Sequence, residues 1–170
     1  MRSFIIGIVF TLVLLSLGAL AFMWRGYMNT AADAQPGMLE TYFASRALDA
    51  SVDRHALRSS NPVPETDANL LGGMIAYSMN CSGCHGSLDG KENKLGASFY
   101  PPAPNLATEA LDDEQWQTFY VIKHGIRFTG MPAWSKVLDD ETIWKVTSFL
   151  SRLENLPPAV KQQMPAPAPK

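Results

Sequence analysis

The segment Cys81-Ser82-Gly83-Cys84-His85 constrains this chain more than any other. Two thiols three residues apart lie on one turn of backbone, and an imidazole directly follows the second. That spacing suits covalent attachment of a c-type haem. Each thiol adds across one vinyl group, and the two vinyls sit on neighbouring pyrroles, so both sulfurs must come from one short segment. The histidine then lies under the iron and supplies a nitrogen ligand. Competing uses of the same residues fit less well. Structural zinc takes four ligands, and these two cysteines are the only ones in the 170 residues. A thioredoxin-like dithiol belongs beside a βαβ unit, which the neighbouring sequence lacks, and a plain disulfide leaves His85 unused. The expectation is one covalently attached haem c.

Composition adds two constraints. A formal net charge of −2, from 14 basic and 16 acidic residues, leaves no footprint for nucleic acid. With both cysteines committed, none remains for a structural disulfide or a lipid anchor. Phe4 to Met23 is almost wholly apolar, and its length as a helix, about 30 Å, matches the hydrocarbon core of a bilayer. Trp24 and Tyr27, with Arg25 between them, suit the interface. Residues 1–25 therefore read as a transmembrane anchor. Ala19-Leu20-Ala21 offers the alternative of a cleaved signal peptide, although the apolar run exceeds the roughly 7–15 residues of a signal core. One arginine flanks each end, so charge does not orient the segment.

Residues 26–67 read as a spacer. Leu39, Phe43, Ala47 and Ala50 recur at helical spacing among charged residues, giving a weakly amphipathic helix. It is either solvated or laid on a partner subunit. Pro62 and Pro64 end any helix there. A new helix is expected from Asp67 or Ala68 into the motif, with Leu70, Met74, Tyr77 and Cys81 on one face. A second is expected with Asp112 as cap and Gln115 as its capping-box partner, running to His124 and stopped by Gly125. A third should begin at Asp139 or Asp140, burying Ile143, Val146, Phe149, Leu150 and Leu153. Residues 157–170, with five prolines, read as a disordered tail.

Gly73, Tyr77 and Cys81 share the spacing of glycine, aromatic and first haem cysteine found in the amino-terminal helix of class I cytochromes c. Gly130-Met131-Pro132-Ala133-Trp134 resembles the distal-ligand loop of that class, above all in cytochromes related to the third subunit of cbb3-type oxidases. The resemblance covers about residues 68–156. It implies an all-α cytochrome c fold, with three main helices around the haem and the last crossing the first at Gly73. It implies iron held by His85 and Met131, and a proline carbonyl that accepts from the ring N–H of His85, with Pro101 or Pro102 as the acceptor. Arg127, beside the methionine loop, is a further second-sphere candidate, while His124 reads as a helix-end cation.

The resemblance also implies maturation outside the bacterial inner membrane, with the amino terminus inside and the haem domain on the periplasmic side. The function it suggests is single-electron transfer between respiratory or photosynthetic partners, or within such a complex, with no small-molecule substrate. A haem enzyme or gas sensor with a dissociable methionine is the alternative. Lys91, Lys94, Lys123 and Arg127 flank the haem segments. They would either steer docking to an acidic partner or belong to a mixed solvated surface.

Overall fold

The computed structural model describes residues 1–166 apart from 92 and 110. It divides into two compact units, Met1–Ala34 and Gln35–Lys170. The first is built on α1 (Arg2–Trp24), a helix with no buried residue and an 18-residue window of mean hydropathy 2.7. By length and composition it can cross a membrane.

The second unit is helical throughout, with no strand among the described residues. In chain order it contains α2 (Met38–His55), α3 (Asp67–Asn80), α4 (Ser82–His85), α5 (Lys94–Ala97), α6 (Gln115–His124), α7 (Asp140–Ser151) and α8 (Pro158–Lys161). One-turn 3-10 helices lie at Trp134–Lys136 and Leu153–Asn155.

The core is the crossing of α3 and α7. Leu70, Tyr77, Ile143, Val146 and Phe149 are buried there to within 1 %. Full burial of such side chains stabilises by about 1.5–3 kcal/mol each relative to exposure. The helices approach this closely because Gly73 has no side chain. A Cβ there would collide with the Lys145 carbonyl and lie 2.9 Å from the Phe149 Cβ. Phe149 packs in turn against the Tyr77 ring, with centroids 5.9 Å apart. The expected crossing at Gly73 is therefore present. Outside this core, α6 lies along α7, and Phe119 stacks on Trp144 at 4.0 Å.

Caps fix the helix starts. Thr66 accepts from Asn69 N at α3, and Asp139 accepts from Thr142 N at α7. At α6 the cap is Glu114, not Asp112, and Gln117, not Gln115, closes the box by accepting from Glu114 N at 2.9 Å. Gln115 is free for another task. It bonds Glu65, Ser151 and Asn61, which ties the chain before α3 to α6 and α7.

Two stretches are more ordered than their composition suggests. From Gln35 onward the segment read as a spacer belongs to the second unit. The stripe Leu39, Phe43, Ala47 and Ala50 is exposed, and it is Val52 that α2 buries. The expected disordered tail also begins too early. Pro158 opens a one-turn helix, a position where its missing N–H costs nothing. Val160 is then only 1 % exposed, and Leu156 and Met164 join the same core. Pro167 and Pro169 lie outside the described residues.

Candidate functional site

The site is built around α4, the turn that carries both cysteines and His85. Helix α3 runs directly into it, with Cys81 closing one helix and opening the next. Two neighbours hold the turn by its backbone. Tyr77, on α3, donates from its hydroxyl to the carbonyls of His85 at 2.9 Å and Gly86 at 2.7 Å. Burial, and then the nearby Cys81, raise the Tyr77 phenol far above its ordinary value, so it stays a donor. Asn93 donates from its amide to the Cys84 carbonyl and accepts from Gly96 N, which pins α5 beneath the turn. Gly86 has φ +93°, and a Cβ there would collide with the Asn105 side chain. Only glycine lets the chain leave the turn in this direction.

His85 Nδ1 lies 3.0 Å from the Pro104 carbonyl oxygen. A carbonyl can only accept, so this contact puts the ring proton on Nδ1 and leaves the Nε2 lone pair free as a metal ligand. The acceptor is thus Pro104, not Pro101 or Pro102. The proline loop is held to α5 by Ala103 N donating to the Gly96 carbonyl at 2.9 Å. That anchor leaves the carbonyl one residue beyond it to face the imidazole. Pro101 and Pro102 do line the adjoining cavity.

Met131 follows α6. Gly125, at φ +67°, ends that helix. A Cβ on Gly125 would sit 2.6 Å from the Met131 carbonyl oxygen and 2.5 Å from the Pro132 carbonyl carbon. Ile126 N donates to the Met131 carbonyl at 3.1 Å, and Thr129 Oγ1 accepts from Met131 N at 3.1 Å. A tight loop results, with Gly130 against the Phe99 ring.

Cys81, Cys84, His85 and Met131 line one cavity of about 270 Å³. Its other walls are mainly apolar, with Leu106, Ile122, Trp134, Val146 and Leu150 among them, and Asn80, Asp113, Thr118 and Thr129 add polar groups. Both cysteines are free thiols, and burial, then Cys84, push Cys81 up to about 11. No cluster of three His, Cys, Asp or Glu that could hold a bare metal ion occurs among the described residues. The donor set fits a haem: two thiols for vinyl groups, one imidazole with its lone pair free, one thioether, and an apolar enclosure.

Residues 68–150 match the family described as cytochrome C oxidase, cbb3-type, subunit III. They belong to the cbb3-type cytochrome c family. The chain is 32 % identical over 156 residues to the cbb3-type cytochrome c oxidase subunit FixPc of Rhizobium leguminosarum bv. viciae, covering 74 % of this chain and 49 % of that one. It is 31 % identical over 157 residues to the FixP subunit of Rhizobium etli, covering 78 % of this chain and 48 % of that one. The chain thus spans about half the length of the curated relatives it matches. No solved structure matches it significantly.

The cytochrome domain brings six of the seven expected site residues to one cavity, Pro101 and Pro102 beside the four donors, and leaves Arg127 apart. Met131 is the methionine that lines the cavity; Met74 is buried in the core and Met79 is 79 % exposed. His124 and Arg127 are exposed and do not line it. Among the flanking cations, Lys91 pairs with Asp89 at 2.8 Å and Lys123 with Asp140 at 2.7 Å. The hydrogen bond and charge of Lys91 hold the Asp89 carboxyl at about 2. Such pairing blunts the field that two of the four cations present.

Sequence reading missed Asn93, Pro104 and Asn105 in this cytochrome, and also Leu48, which reaches the cavity from α2. Gly86, directly after the histidine, was the available signal for a neighbour pressed against the turn. A carbonyl acceptor such as that of Pro104 has no side-chain signature at all.

Proposed function

We propose that this chain is a membrane-tethered monohaem cytochrome c that passes single electrons. Cys81 and Cys84 would hold the haem by thioethers, and His85 Nε2 and the Met131 thioether sulfur would both ligate its iron. The bound group supplies one-electron exchange at its iron. The protein's part would be to ligate the iron with two side chains, which would leave no open site for oxygen or peroxide, and to keep water away with a mainly apolar wall. The Pro104 carbonyl orients His85 and raises its basicity, while methionine ligation favours a high potential.

Phe4–Met23 would be retained as a single-pass anchor, with the cytochrome domain on the periplasmic side of a bacterial inner membrane. Both FixP relatives are cbb3-type oxidase subunits by name. We accordingly place the chain in, or as electron donor to, a membrane respiratory complex of that kind. Its traffic is electrons between protein partners, not a small-molecule substrate.

One observation carries this reading: both motif thiols, His85 and Met131 line the same apolar cavity. The test is covalency. Expressed with a cytochrome c maturation system, the denatured chain should keep its haem on a gel, and its mass should rise by one haem. Replacing both cysteines with alanine should abolish this. Haem that acid–acetone removes from the wild-type chain would overturn the assignment.

A further inference from the structure

We infer that α2 is a structural wall of the haem cavity, with Leu48 as the side chain through which a helix outside the matched cytochrome region sets the polarity around the iron. The inference rests on the proposed haem reading and extends it to residues before position 68, where the family match begins.

Helix α2 bridges two separate parts of the cavity's lining. Near its start, Glu40 accepts from the Tyr100 hydroxyl at 2.7 Å. Tyr100 immediately precedes the proline loop whose Pro101, Pro102 and Pro104 line the cavity. Near its end, Asp53 accepts from the Gln117 amide at 3.1 Å. Gln117 lies on α6, which contributes Thr118, Val121 and Ile122 to the same lining. Between these two latches, Leu48 is the residue of α2 that reaches the cavity. Val52, one turn on, is only 6 % exposed.

The chain after α2 is fastened as well. Arg58 lies over the Trp116 ring at 5.2 Å, and Asn61 donates to Ser148 Oγ at 2.7 Å. The two latches on α2 are polar and exposed, so neither alone fixes the helix. Their number and their placement on both sides of Leu48 make α2 a fitted part of the domain.

The physical consequence follows from dielectric. The ferric haem carries one more positive charge than the ferrous, so an apolar wall that excludes water disfavours the oxidised form. Leu48 belongs to that wall, and a carboxylate in its place would stabilise the ferric charge directly. Leu39, on the same helix but 72 % exposed and absent from the cavity lining, provides a matched control.

The experiment compares Leu48→Glu and Leu39→Glu in the full-length, haem-loaded protein, with haem content measured first and the midpoint potential second. Leu48→Glu should shift the one-electron equilibrium toward the ferric form about tenfold or more, a fall of about 59 mV per tenfold. Leu39→Glu should leave it unchanged. The Leu48→Ala and Leu39→Ala pair covers a failure of Leu48→Glu to assemble. Leu48→Ala should lower the potential and speed imidazole binding to the oxidised protein, and Leu39→Ala should do neither. Haem-loaded Leu48 variants that match their Leu39 counterparts would overturn the inference while leaving the haem reading intact. A wild-type chain without covalent haem would overturn the haem reading itself, and the inference with it.

Discussion

His85 sits on a turn braced from three directions, whereas Met131 sits on a loop braced mainly by its own short span. Tyr77, Asn93 and Pro104 reach the His85 turn from α3, from the cap of α5 and from the proline loop. The Met131 loop depends on local hydrogen bonds among Ile126, Thr129 and Met131, on the close approach at Gly125 and on Gly130 against the Phe99 ring. A braced turn keeps its geometry when one contact is lost, because the others still define it. The cytochrome therefore holds its histidine side from several elements and its methionine side through short-range contacts, of which the tightest is at Gly125.

Gly125→Ala should break that contrast most strongly. It places a Cβ at φ +67° against the Met131 and Pro132 carbonyls, which we expect to cost about 3 kcal/mol. Denaturant unfolding should register the loss. The reduced variant should also bind carbon monoxide, while its haem stays attached. A variant that still excludes carbon monoxide would show that the loop is held elsewhere.

Tyr77→Phe tests the redundant side. The ring and its packing on Phe149 remain, but two buried carbonyls lose their donor. A loss of about 1–3 kcal/mol in urea unfolding is expected, with the methionine's spectral signature unchanged. Loss of that signature would mean that the two sides are coupled through the turn.

Asp113, which belongs to neither side, should give the smallest effect. Burial, then the Asp49 and Asp112 carboxylates, raise it above the usual carboxylate value. A folded pKa above the unfolded one means that protonation favours the fold, so the ionised group costs stability at neutral pH. Asp113→Asn should therefore stabilise at pH 7 by less than about 1 kcal/mol. The gain should shrink as pH falls through the carboxylate range, where wild-type Asp113 is protonated anyway. Thermal melts at pH 7 and pH 4 give the comparison.

Legibility in the sequence followed the chemistry of each contact. The cysteines and His85 were visible because covalent attachment requires contiguous residues. Gly73 and Tyr77 were visible because a helix crossing leaves a periodic trace. Met131 stood out only through its resemblance to a known loop. Pro104 did not, because its role is that of a backbone carbonyl and any of three neighbouring prolines could supply one. Helix α2 was recognised, with its stripe expected against solvent or a partner, but its contacts to the domain were not. Its most regular apolar stripe faces outward, while Leu48, Val52 and two polar latches make the actual contact. At the carboxyl end, proline content suggested disorder, yet Val160, with Leu156 and Met164, packs Pro158–Lys161 onto the core.

Met131, as the iron's second protein ligand, would limit it to electron transfer. The most direct measurement is the weak long-wavelength absorption band of sulfur-to-iron charge transfer in the oxidised protein. The account predicts the band in wild type and in Met79→Leu, and its loss in Met131→Ala together with entry of carbon monoxide into the reduced form. A wild-type spectrum already high-spin, or a band that survives Met131→Ala, would contradict it.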